Sequence, residues 1–96
     1  MKVNFNVPFL NYKGEETKEL ISDKIAEALF GAGTQGNQIS NENKYKAYKL
    51  CRKIGEATCE VEISSEEATL IKDVCANYLV AGGYGQIHEL IEGGDK

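Results

Sequence analysis

Cys59-Glu-Val-Glu-Ile63-Ser64-Ser65-Glu66-Glu67 is the stretch that decides the fold class. Cys59, Val61 and Ile63 alternate with Glu60 and Glu62, the period of two that marks a half-buried strand with the first set facing inward. Ser64-Ser65-Glu66-Glu67 follows at once and has the form of a capping box. The Ser64 hydroxyl reaches the Glu67 N–H, and the Glu67 carboxylate returns to the Ser64 N–H. A strand that runs straight into a capped helix predicts an α+β domain. The helix so opened, 65–81, carries Leu70, Ile71, Val74, Cys75, Tyr78 and Leu79 on an apolar face covering roughly half its circumference at about 100° per residue. That breadth predicts that it is the central helix. Gly82-Gly83 are expected to stop it, leaving 84–92 as a short last helix and 93–96 as a frayed tail.

Working back toward the first residue, Val3, Phe5, Val7 and Phe9 alternate with Asn4 and Asn6, which predicts one strand over about 2–9. Pro8 has no N–H and belongs near its end or on a sheet edge. Asn11 to Gly14 reads as a turn, and 15–19 as either a short returning strand or the start of a helix. A helix over 22–31 is expected, with Ser22 as N-cap, Ile21, Ile25, Ala28 and Leu29 as its apolar stripe and Gly31 in the left-handed position that closes it. Residues 31–40, rich in glycine, read as a flexible loop. A further helix over 42–54 is capped by Ser40 or Asn41 and closed by Gly55. The expectation is a single α+β domain over 1–96: two short strands, about 2–9 and 59–63, packed on three to four helices, with the sheet lying on the 65–81 helix.

The 96 residues suit one domain, and the formal net charge of −4 argues against bulk binding to nucleic acid or anionic membrane. Apolar runs are only a few residues long and the opening residues lack the pattern of a secretion signal. Three cysteines without paired spacing are then expected as reduced thiols in a cytoplasmic setting.

Chemistry-bearing patterns are few. Gly31-x-Gly33-x-x-Gly36 matches a dinucleotide loop in letters, but it follows a helix where that loop must follow a strand, so it reads as a connector. Cys51, Cys59, Cys75 and His88 could supply a Cys₃His set, yet lack the close pairs that pre-organise zinc ligands. The cysteines fall on inward faces, where they act as small apolar groups. His88 is expected on the surface, paired weakly with Glu92. Neither a catalytic residue, nor a metal site, nor a cofactor is expected.

The most informative feature is the helix from Lys44 to Lys53. Lys44, Lys46, Lys49, Arg52 and Lys53 lie opposite a buried stripe of Ala47, Leu50, Cys51 and Ile54, and no acidic residue interrupts them. Tyr45 projects among the cations and Tyr48 lies at the border. The ordinary meaning of such a face is a solvated surface whose lysines balance acidic neighbours. Cations interleaved with tyrosines also suit an acidic protein partner, or a phosphate backbone with stacked bases.

Met1-Lys2-Val3-Asn4-Phe5, Pro8-Phe9 and Gly14, then Tyr48 to Gly55, Glu62 to Glu67 and Gly85-Gln86-Ile87-x-Glu89-Leu90, together give the chain a pattern that resembles small uncharacterised phage- and prophage-encoded proteins. The resemblance implies a protein that acts by association inside a bacterial host and carries no assigned catalytic residue. The expected function is therefore that of a non-enzymatic interaction protein, plausibly a homo-oligomer, docking on itself or on a host or phage protein through Lys44, Tyr45, Lys46, Tyr48, Lys49, Arg52 and Lys53 or through an exposed strand edge. The alternative is binding of nucleic acid or a nucleotide-like anion by the same helix. Nothing suggests a membrane partner.

Overall fold

The computed structural model describes residues 2–32, 40–57 and 59–93. Most of the expected glycine-rich loop and the last three residues of the expected tail lie outside the described residues. The chain is α+β, with four helices and two antiparallel two-stranded sheets.

The N-terminal alternation yields two strands instead of one. β1 (Lys2–Asn4) pairs with β4 (Glu60–Glu62), Val3 opposite Val61. β2 (Pro8–Leu10) forms a hairpin with β3 (Glu16–Leu20). The hairpin turn obeys the local rules: Gly14 takes φ +83°, a value that favours glycine, and the Asn11 side chain accepts the N–H groups of Lys13 and Glu15 at 2.9 and 3.0 Å. The break between β1 and β2 has a purpose that alternation does not reveal. The carbonyls of Phe5 and Val7 accept the N–H groups of Ser22 and Ile21, both at 2.8 Å, and so satisfy the exposed donors at the start of α1 (Ile21–Phe30). Main chain does there what a capping side chain was expected to do. Leu20 is the N-cap, and Ser22 is buried one position inside the helix. Gly31 closes α1 at φ −92°, outside the left-handed region, with its N–H on the Glu27 carbonyl.

α2 (Asn41–Glu56) starts as expected, the Ser40 hydroxyl accepting the Asn43 N–H at 3.1 Å, but runs through Gly55 before it ends. The capping box opens α3 (Ser65–Tyr78) with both bonds formed: Ser64 N–H to Glu67 Oε1 at 2.8 Å and Glu67 N–H to Ser64 Oγ at 3.1 Å. Ser64→Ala is expected to lower stability by about 1 kcal/mol, the usual cost of a lost cap, read as a shifted urea midpoint at constant slope. α3 packs against α1, α2 and α4 and so occupies the middle of the bundle, though the closest helix pair is α1 with α2. The sheets lie elsewhere than expected: β1 sits beside α4, and β3 leads into α1.

α3 stops at Tyr78, short of the expected residue 81, because Leu79 and Val80 are extended; α4 (Ala81–Glu92) then begins with Gly82 and Gly83 inside its first turn. The glycines therefore start the last helix and do not end the previous one. With the corner placed there, Tyr78 is half exposed instead of buried. Cys59 is also exposed, lying just before β4 and not on its inward face. The core is one cluster drawn from every helix and from the N-terminal segment, including Phe5, Ile25, Leu29, Leu50, Ile54, Ile63, Ile71, Cys75 and Ile87.

Candidate functional site

The basic helix keeps the geometry its periodicity predicts. Ala47, Leu50 and Ile54 of α2 are buried, while Lys44, Tyr45, Lys46, Tyr48, Lys49, Arg52 and Lys53 are exposed. What the spacing does not reveal is how the cations are occupied. Lys46 lies 3.4 Å from Glu42 and 3.9 Å from Glu66, Arg52 3.2 Å from Glu56, and Lys53 3.4 Å from Glu67. The Tyr48 hydroxyl, with Glu56 second, raises the pKa of Arg52 above its ordinary value. Lys49 caps the Tyr45 ring, its Nζ 5.0 Å from the centroid. Glu67 thus serves twice, closing the α3 capping box and receiving Lys53 of α2. Among the described residues, Lys44 and Lys49 are the members of this set without a carboxylate partner.

Beside this face runs a groove of about 550 Å³ between α2 and the start of α3, lined by Lys46 and Lys49 on one side and Ser65, Glu66, Glu67 and Asp73 on the other. A polyanion laid there would meet more carboxylates than ammonium groups. The field is mixed, which is the setting of a solvated surface more than of a phosphate track.

The thiols and the imidazole differ in burial. Cys75 is fully buried in α3, and burial pushes its pKa up to about 12. Cys51 is half-buried on α2 and donates to the Ala26 carbonyl at 3.3 Å; burial raises it as well. Cys59 is exposed. His88 lies with its ring 5.9 Å from that of Tyr84, and Glu92, its expected weak partner, also receives Lys72 of α3. That ammonium holds the Glu92 carboxyl below its ordinary value. Among the described residues no three His, Cys, Asp or Glu side chains are grouped to hold a metal ion.

A second groove, which sequence reasoning missed, has a different character. About 680 Å³ in volume, it lies between β2 with the hairpin tip and the corner joining α3 to α4. Leu10, Tyr12, Tyr78 and Val80 line it with exposures of 43%, 93%, 50% and 81%. They make up four of the seven large apolar side chains exposed among the described residues, so the uncovered apolar surface is concentrated rather than scattered. Gly82, Gly83 and Gln86 form the α4 side, and Glu19 with Lys24 also line it. Its members come from residues 9–24 and 78–86, and the corner that exposes Tyr78 and Val80 was itself not legible. The one local signal was Val80, an apolar residue two positions before a pair of glycines.

No protein-family model matches the chain, and neither a curated protein nor a solved structure does. No helix among the described residues is long and apolar enough to cross a membrane.

Proposed function

We propose that the chain is a non-enzymatic interaction protein that associates with a protein partner through the groove between the β2–β3 hairpin and the α3–α4 corner. The observation that carries this reading is the gathering of Leu10, Tyr12, Tyr78 and Val80, all exposed, around one concavity. Tyrosines that present a large rigid face to solvent are the side chains that anchor protein interfaces, and a concave apolar patch is where such anchors act. The three free thiols fit a reducing cytoplasm, and the resemblance to phage and prophage proteins supports a bacterial host as the setting and a host, phage or second copy as partner.

Val80→Glu combined with Tyr12→Ser tests the reading, since both side chains are exposed and contribute little to the core. Complexes captured by the wild-type chain from its source cells are expected to be lost with the double variant, by about thirtyfold or more in affinity, the effect of removing an interface anchor. Lys44→Glu with Lys49→Glu is expected to leave them intact. The reverse pattern would move the site to α2. For the nucleic-acid alternative, the paired carboxylates predict that a short labelled oligonucleotide is not retarded even at low salt; retardation that falls steeply with added salt would favour it instead.

A further inference from the structure

The outer edge of β2 is closed by a single side chain. The Gln86 amide of α4 accepts the Leu10 N–H at Oε1, 2.7 Å, and donates from Nε2 to the Leu10 carbonyl at 2.9 Å. Those are the two main-chain groups that Leu10 points away from β3, and the two bonds form the ring that a neighbouring antiparallel strand would complete. Gln86 also donates to the Gly82 carbonyl of its own helix at 2.9 Å, so its amide is held in place from behind. A side-chain amide standing in for a backbone amide on a strand edge, inside an apolar groove, defines the chemistry that the edge accepts.

We propose that the groove receives an extended peptide segment of a partner protein as an added strand along β2, with Gln86 holding the position of the incoming backbone amide. This rests on the association reading above and names the kind of partner. Two features converge on it. Leu10 offers a donor and an acceptor to one residue of the segment, the pairing from which strand addition draws its affinity. Tyr12, Tyr78 and Val80 flank that edge and form the apolar seat for the segment's alternate side chains. A helix would satisfy its own amides and leave Leu10 to Gln86.

The test is to pan a phage-displayed library of random linear dodecapeptides against the immobilised full chain, then to measure binding of synthetic copies of the recovered sequences. Recovered peptides are expected to alternate apolar and polar positions. N-methylation of one backbone nitrogen is expected to weaken each by about tenfold, the order of a lost hydrogen bond, while methylation at neighbouring nitrogens does less. Gln86→Ala is expected to tighten binding by about two- to tenfold by removing the competing amide; Val80→Glu, which leaves Gln86 and the core untouched, is expected to abolish it. Recovery of no binder, of helical peptides, or of peptides indifferent to N-methylation yet lost on Val80→Glu would overturn strand addition and leave the groove as an association surface. Binders indifferent to both changes would overturn the groove as well. A concentration-dependent dimer that Val80→Glu dissociates, with no peptide binding, would assign the groove to a second copy.

Discussion

Replacing Leu50 by alanine is expected to lower the unfolding free energy by about 2–5 kcal/mol, whereas replacing its neighbour Lys49 costs no more than about 0.5–1 kcal/mol. The contrast follows from the two faces of α2. Leu50 is 1% exposed and belongs to the common core with Ile25, Ile54 and Ile71. Removing most of its side chain leaves a cavity that the surrounding helices close only in part. Lys49 is exposed and its ammonium sits over the Tyr45 ring. Domains are stable by about 5–15 kcal/mol, and one of 96 residues has a small core, so the Leu50 loss takes a large fraction of the total. Urea melts of the two variants would show it as a large shift in midpoint for one and almost none for the other, at unchanged slope. Equal shifts would mean that α2 does not bury the stripe Ala47, Leu50, Ile54, and the placement of every cation on that helix would fall with it.

α2 and the start of α3 were legible because their determinants are local. Ser40 and Ser64 cap helices a few residues away, and the apolar repeat on α2 can be counted along the chain. The break between β1 and β2 was not legible. Val3, Phe5, Val7 and Phe9 keep period two, and nothing in that pattern says that the carbonyls of Phe5 and Val7 will be used by helix donors at Ser22 and Ile21. Ser22 misled for the same reason, since a serine before an apolar repeat ordinarily caps, yet here the main chain already fills that role. The α3–α4 corner reversed the meaning of Gly82 and Gly83. Leu79 and Val80 take extended backbone, Leu79 packs against the core, and the glycines follow inside the next helix. On the candidate site, the cations of α2 could be read directly. Their neutralisation by Glu66 and Glu67 could not be read with them, because it needs α3 folded against α2. The groove is less legible still, since it joins a hairpin tip to a corner more than sixty residues away and its key polar link, Gln86 to Leu10, spans 76 positions. Locally encoded surfaces can be found from spacing, whereas a surface made by the packing of distant corners can be found only once the packing is known.

The three thiols are expected to react with an alkylating reagent in a fixed order, and the spread should be very large. Cys59 is exposed and should label at the rate of a free thiol, Cys51 more slowly, and Cys75 only through opening of the fold. Opening equilibria of small domains lie at about 10⁻³ or below, so native labelling of Cys75 should trail that of Cys59 by at least about a thousandfold, resolved by mass spectrometry of digests. Because that rate tracks opening, Leu50→Ala should raise it by about 30- to 4,000-fold, its stability loss at 1.4 kcal/mol per decade. Alkali supplies an independent check. Burial favours the neutral Cys75 thiol and lifts its folded-state pKa from 9.0 to about 12. Below pH 9 both folded and unfolded chains hold this proton and it has no effect. Between 9 and 12 the unfolded chain releases it while the folded chain keeps it, so the unfolded state binds fewer protons and stability falls as pH rises. Lysines and tyrosines titrate over the same range, so the informative quantity is the difference between the wild type and Cys75→Ala. The wild type should lose stability more steeply with pH in that window, and the two curves should run parallel below it. Parallel curves throughout, or labelling of Cys75 as fast as Cys59, would place the thiol in solvent and remove α3 from the middle of the core.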